Sequence, residues 1–179
     1  MRIFLKSSQN CSKTIRKDNF WGLGLRFEML FLGKTKEAYL AAGIRDYARR
    51  LAYYVQTDIV TIKEKKHQKG EPENLRIETE SQNLLQSAKG TYVVCLDRGG
   101  IGIDSLELAA WLQRWEMQAQ KKISFIIGGP LGLSSDSLKW ADLVLSLSPM
   151  TLTHEMTRLL LLEQLYRACT IKAGEKYHK

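Results

Sequence analysis

The stretch Lys122-Ile123-Ser124-Phe125-Ile126-Ile127-Gly128-Gly129-Pro130-Leu131-Gly132-Leu133 sets the architecture. Its first half is rich in β-branched and aromatic side chains and reads as a strand. Gly128, Gly129 and Pro130 stop that strand abruptly. Three glycines and a proline leave a stiff backbone with few side chains, which can approach a flat ligand closely. The same grammar recurs upstream, where Thr91 to Leu96 forms a strong strand and Asp97 to Gly102 follows it as a glycine-rich loop. The next helix opens at Asp104, three residues before Glu107, in a capping-box arrangement. Leu108, Trp111, Leu112 and Trp115 form its apolar face, and a tryptophan pair at that spacing reads as core rather than as a base-stacking platform. Downstream lie a short helix near Asp136 to Trp140, a strand from Leu143 to Leu147, a long helix from about His154 to Ile171, and a polar tail of Tyr177, His178 and Lys179.

The first half of the chain alternates in the same way. Phe27 to Leu32 is a strand ending at Gly33, and Leu40, Ile44, Tyr47 and Leu51 mark one face of an amphipathic helix. Val55 to Ile62 is a second strand, Lys63 to Asn74 a charged linker, and Leu75 to Ser87 a weakly patterned helix. Strands alternating with helices predict an α/β domain with a mainly parallel sheet flanked by helices. Its length of 179 residues suits one core, so residues 26–179 are assigned to a single domain. Residues 1–25 show no sustained period and form a basic, loose N-terminal extension. The apolar run Ile3 to Leu5 is too short for a secretory signal.

Composition bounds the class. The chain is 44% hydrophobic with 3 prolines, as in a folded globular protein. Its longest apolar run, Leu159 to Leu162, is flanked by Arg158 and Glu163, so no membrane span is expected and a cytoplasmic location is. Cys11, Cys95 and Cys169 have neither metal-ligand spacing nor the pattern of a disulfide framework. The net charge is +8, but Arg2, Lys6, Lys13, Arg16, Lys17 and Arg26 against Asp18 alone supply most of it. Charge by itself therefore names no partner.

Ligands of open parallel sheets bind where strand carboxyl ends meet their loops, here 96–102, 127–134 and 147–153. Gly99, Gly100 and Gly102 do not make a dinucleotide fingerprint, because the third glycine of that spacing falls on Ser105. No phosphate-binding loop of the G-x-x-x-x-G-K-[ST] kind occurs either. Leu147-Ser148-Pro149-Met150-Thr151-Leu152 offers apolar side chains and backbone donors before a helix. Together the loops can wrap an adenosine.

These residues carry a resemblance. The block from Phe125 through Gly128-Gly129-Pro130-Leu131-Gly132-Leu133, Leu145 to Leu152, His154, Arg158, Glu163 to Ala168 and Tyr177-His178-Lys179 resembles the RlmH family of SPOUT methyltransferases. The likeness extends back to Phe27-Glu28-Met29-Leu30-Phe31-Leu32-Gly33-Lys34 and to Leu96-Asp97. It implies a homodimeric SPOUT fold with a C-terminal trefoil knot, and S-adenosylmethionine as cofactor with no metal. It also implies methylation of N3 of a pseudouridine in the helix 69 stem-loop of 23S ribosomal RNA, on assembled ribosomes. By position the cofactor contacts fall on Leu96, Gly128, Leu147, Ser148, Pro149, Met150, Thr151 and Leu152. Members often carry proline before the histidine, where this chain has Thr153, a helix-capping residue. The alternative is a ribosome- or RNA-binding protein that keeps the fold without turnover.

Transfer to a ring nitrogen requires that nitrogen to lose its proton. His154, Tyr177 and His178 are the candidate catalytic groups, although a histidine opening a helix also fits a structural role. Arg158 and Arg167 are candidates for holding RNA phosphates. Each fits equally well in an ion pair with Glu155 or Glu163.

Overall fold

A computed structural model of the chain describes residues 24–65 and 70–177. Cys11, nearly all of the N-terminal extension, and His178 lie outside the described residues. In chain order the elements are β1 (Arg26–Leu32), α1 (Ala38–Leu51), β2 (Gln56–Ile62), α2 (Glu73–Ser87), β3 (Tyr92–Gly102), α3 (Ser105–Met117), β4 (Lys122–Ile127), α4 (Ser135–Trp140), β5 (Leu143–Ser146) and α5 (His154–Lys172). The strands form one sheet in the order β2-β1-β4-β3-β5, and every pairing is parallel.

Alternation along β1 decides which helices go where. Phe27, Met29 and Phe31 point into the larger core, shared with Ile44 of α1, Leu108, Leu112 and Trp115 of α3, and Leu161, Leu162 and Leu165 of α5. Leu30 and Leu32 point to the opposite face, under Leu84 of α2 and Ala88 just beyond its end. β4 is buried on both faces, as a central parallel strand must be. The tryptophan pair is core as its spacing predicts: Trp115 is 4% exposed and stacks obliquely on Trp111. α3 begins with the full capping box, Asp104 accepting from Glu107 N–H and the Glu107 carboxylate from Asp104 N–H. Cys95 and Cys169 are free and buried, and burial pushes both thiols up to about 12.

One element departs from the sequence reading. Asp97 to Gly102 is not a turn into a helix, because β3 runs on to Gly102 and meets β5 twice. Leu145 pairs first with Leu96 and again with Ile101, and 97–100 bow out between. Gly100 is needed there. A Cβ on it would lie 2.6 Å from the Val144 carbonyl oxygen, inside any tolerable contact, so only glycine lets the bowed segment lie flat against the β5 backbone.

Candidate functional site

The carboxyl ends of β3, β4 and β5 enclose a cavity of about 680 Å³, within the range of small-molecule sites. All three loops singled out by sequence contribute to its wall. Leu96, Gly128, Leu147, Ser148, Met150, Thr151 and Leu152 line it, while Pro149 does not and is exposed. Asp97, Arg98, Ile127, Leu145 and Thr157 also line it, and of these only Thr157 lies outside the loops and motifs that the sequence singles out.

The 128–132 loop holds its own shape. Gly132 adopts φ +81° and its N–H donates to the Gly129 carbonyl at 3.0 Å. A Cβ on Gly128 would meet the Gly132 carbonyl oxygen at 2.4 Å. It would press on the loop backbone and not on the space inside the cavity, so Gly128 shapes the wall by what it permits Gly132 to do. In the third loop Ser148 Oγ accepts from Met150 N–H at 3.0 Å, and Thr153 caps α5 by accepting from Met156 N–H at 3.2 Å. The threonine thus performs the capping its position predicts.

The first turn of α5 faces the cavity on one side and the β1–α1 loop on the other. His154 lines the cavity, and burial together with the nearby Arg158 charge lowers its pKa below the usual 6.5. The imidazole is therefore neutral at pH 7 and able to accept a proton. Glu155 is 7% exposed. It accepts Lys36 N–H on both oxygens, at 3.0 and 3.1 Å, and Glu37 N–H at 3.1 Å. Burial works to raise its pKa, but these backbone bonds outweigh it and hold the carboxyl below its ordinary range. Glu37, the N-cap of α1, makes no side-chain cap of its own, so Glu155 caps α1 from across the core. No sequence signal links positions so far apart.

Arg158 corrects an expectation. It is 0% exposed, one Nη donating to Thr35 Oγ1 at 3.0 Å and the other to the Leu32 carbonyl, with the guanidinium 4.9 Å from the centre of the Phe31 ring. Enclosed in this way it ties α5 to the end of β1 and cannot face RNA phosphate. Arg167 takes the alternative open to it, an i,i+4 pair with Glu163, and lies 4.8 Å from the Tyr177 ring centre.

Tyr177 stands at the far end of α5. Its ring meets Tyr166 at 4.9 Å, and its hydroxyl faces Tyr47 at 3.5 Å and Glu163 at 3.3 Å. Hydrogen bonding to Tyr47 and burial push its phenol above the ordinary value. Its side chain thus sits beside Glu163 and Tyr166, which lie roughly 14–18 Å along α5 from His154 at about 1.5 Å per residue. The two expected catalytic groups therefore do not meet within one copy of the chain.

Among known proteins, residues 25–178 match the family model described as a predicted SPOUT methyltransferase. A ribosomal RNA large subunit methyltransferase H of Desulfotalea psychrophila is 46% identical over 156 residues, covering 87% of this chain and 100% of the relative. A protein of that name from Alkaliphilus oremlandii is 42% identical at the same coverage of each. A putative one from Methanoregula boonei is 43% identical, again over 87% and 100%. The match spans the sheet, the helices and all three cavity loops, and this chain belongs to the SPOUT methyltransferase family.

Proposed function

We propose that this protein methylates N3 of a pseudouridine in the helix 69 stem-loop of 23S ribosomal RNA, on assembled ribosomes and in the cytoplasm. The observation that carries the reading is the cavity at the carboxyl edge of the sheet, built by the loops shared with relatives named ribosomal RNA large subunit methyltransferases. S-adenosylmethionine fits its chemistry. Leu96, Ile127, Leu145, Leu147 and Leu152 offer apolar walls for a purine, and Gly128 to Gly132 bring bare backbone alongside. When bound, the cofactor supplies the methyl group and the sulfonium leaving group.

The chain's own residues orient and deprotonate the acceptor. Residues 147–152 hold the cofactor side, Ser148 fixing the turn at Met150. His154, neutral at pH 7 and on the cavity wall, takes the acceptor proton at its free ring nitrogen. Positioning supplies much of the acceleration. The active form is a homodimer in which Tyr177 and His178 of one copy serve the cavity of the other, since within one copy Tyr177 packs on Glu163 and Tyr166, away from the cavity. The chain carries a C-terminal trefoil knot, a reading that rests on its membership of the SPOUT methyltransferase family. In this reading the methyl group passes directly from cofactor to nitrogen, without a metal. Among the described residues no helix is long and apolar enough to cross a membrane.

The test is mass spectrometry of large-subunit RNA from cells with and without the protein, alongside calorimetry with S-adenosylmethionine. A methylated pseudouridine present only with the protein supports the reading. Ribosome binding without cofactor binding or methylation would instead identify an RNA-binding protein that has lost turnover.

A further inference from the structure

The carboxyl edge of the sheet on which the cavity opens carries an uneven charge. The β1 loop carries Lys34 and Lys36, the segment after β2 carries Lys63 and Lys65, and the bowed segment of β3 carries Arg98. All five are exposed, and among the described residues none has a side-chain hydrogen bond or ion pair. Several cations elsewhere are paired: Arg49 and Arg50 with Asp46, Lys122 with Glu28, Lys139 with Asp136, Arg167 with Glu163.

Acids at this edge are largely occupied. Asp97 accepts the Gly99 N–H at 2.8 Å. Glu64 lies over Gly33 and acts electrostatically on Arg158 and His154. Glu37 is exposed. Lys36 is bonded through its N–H to Glu155, the neighbour of the cavity-lining His154, which sets this lysine beside the cavity wall, while Lys63 and Lys65 border a separate recess further along the same edge. In the sheet order β2-β1-β4-β3-β5, the lysines sit at the ends of β2 and β1 and Arg98 in the bowed segment of β3, with the glycine loop of β4 between. At about 4.8 Å per strand, β2 and β3 are roughly 14 Å apart.

We infer that this carboxyl edge is a track for the RNA backbone. The lysines hold phosphates on one side of the cavity mouth and Arg98 holds one on the other, so that the acceptor nucleotide is suspended over the cavity by both flanks. The inference rests on the RNA-methylation reading above and adds to it the surface that presents the substrate. Such phosphate contacts position without reading sequence, so the track sets register while the cavity selects the base.

The amino edge provides an internal control. Arg26, Lys89 and Lys121 are exposed there and, among the described residues, likewise free of side-chain partners, but the recess that Arg26 borders is about 250 Å³, against about 680 Å³ at the carboxyl edge. The experiment compares the full chain with K34Q/K36Q/K63Q/K65Q/R98Q, with K34Q/K36Q/K63Q/K65Q, with R98Q alone, and with R26Q/K89Q/K121Q. Filter binding to large-subunit RNA is measured across a salt series, with calorimetry for S-adenosylmethionine. Every phosphate of a single strand that is no longer neutralised should flatten the log–log salt dependence by about 0.7. The five-site variant should therefore lose a slope of about 3 and at least tenfold in affinity at physiological salt. With Arg98 left intact, K34Q/K36Q/K63Q/K65Q should keep its cofactor affinity within twofold, and the amino-edge variant should change little.

Equal losses from the two edges would overturn the track, because they would mean unspecific attraction. A tenfold loss of cofactor affinity in R98Q would move Arg98 into the cofactor site and overturn its assignment. Rim-dependent binding to anionic phospholipid vesicles but not to RNA would replace RNA with a membrane. If the unaltered protein neither bound cofactor nor methylated RNA, a rim-specific salt slope would still uphold the track while the enzymatic reading failed.

Discussion

Replacing Glu155 with alanine should loosen the joint between α5 and α1 by an amount that follows from its bonds. The carboxylate takes two backbone donors, Lys36 N–H shared between its oxygens and Glu37 N–H. A hydrogen bond to a charged group contributes about 1.5–3 kcal/mol. The side chains of Lys36 and Glu37 are exposed, so water recovers part of the loss, and the lower end applies, about 3 kcal/mol for the two donors. For a domain of this size that lowers Tm by roughly 6–12 °C. Glu155→Gln keeps one acceptor oxygen without the charge and should lose about half as much. The measurement is urea denaturation followed by circular dichroism, with thermal melts across pH. Because the carboxyl is held below its usual value, its stabilising effect is complete above the unfolded-state value near 4.5 and is lost as pH falls through the lower folded value. The gap between wild type and Glu155→Gln should therefore close in acid. An alanine variant within 1 kcal/mol of wild type, or a gap that persists unchanged at the acid end, would refute the cross-core cap.

Gly128→Ala should lower both Tm and S-adenosylmethionine affinity, since its Cβ would collide with Gly132 backbone at a cost of about 1–3 kcal/mol; unchanged values of both would mean that the close approach constrains neither fold nor site. The rate of methyl transfer should fall as pH drops through a value below 6.5, where His154 gains its proton, and His154→Gln should abolish that limb at saturating substrate; a limb that survives assigns the base elsewhere. Deleting residues 177–179 should leave a folded protein that binds S-adenosylmethionine and barely methylates ribosomes, with wild-type turnover by the truncated chain as the contrary result. A chain starting at residue 24 keeps every cavity residue and should turn over normally on saturating ribosomes; aggregation or slow turnover would show that the basic extension is required.

The fold was legible because its signals are local. Phe27 to Leu32, Thr91 to Leu96 and Lys122 to Ile127 are apolar runs punctuated by glycine, and the capping box at Asp104 and the cap at Thr153 fall where short-range chemistry predicts. The cavity was legible as loops at strand ends, and seven of the eight residues assigned to cofactor line it. What escaped depends on partners far away in sequence. Arg158 has the spacing of a surface cation, and its burial follows from Leu32, Thr35 and Phe31 gathering around it. Glu155 has the spacing of an ion-pair partner, and its role follows from an α1 terminus that lacks its own cap. Asp97 to Gly102 has the composition of a turn, and only the path of β5 makes it a strand.

That path has a consequence for the order in which the molecule assembles as it leaves the ribosome. β3 emerges early and finds β4 on one side soon afterwards, but its other edge stays bare until β5 follows α4. During that interval Leu96 and Ile101 wait for the same partner, Leu145, and the nascent chain exposes an unpaired edge of the kind that invites aggregation. Arrival of β5 must then satisfy both registers at once, against a Gly100 that leaves no slack. Closure of this edge is therefore a late, all-or-nothing event. Insertions or deletions among residues 97–100 should be punished in yield during synthesis well before they are felt in the melting temperature of whatever molecules do mature.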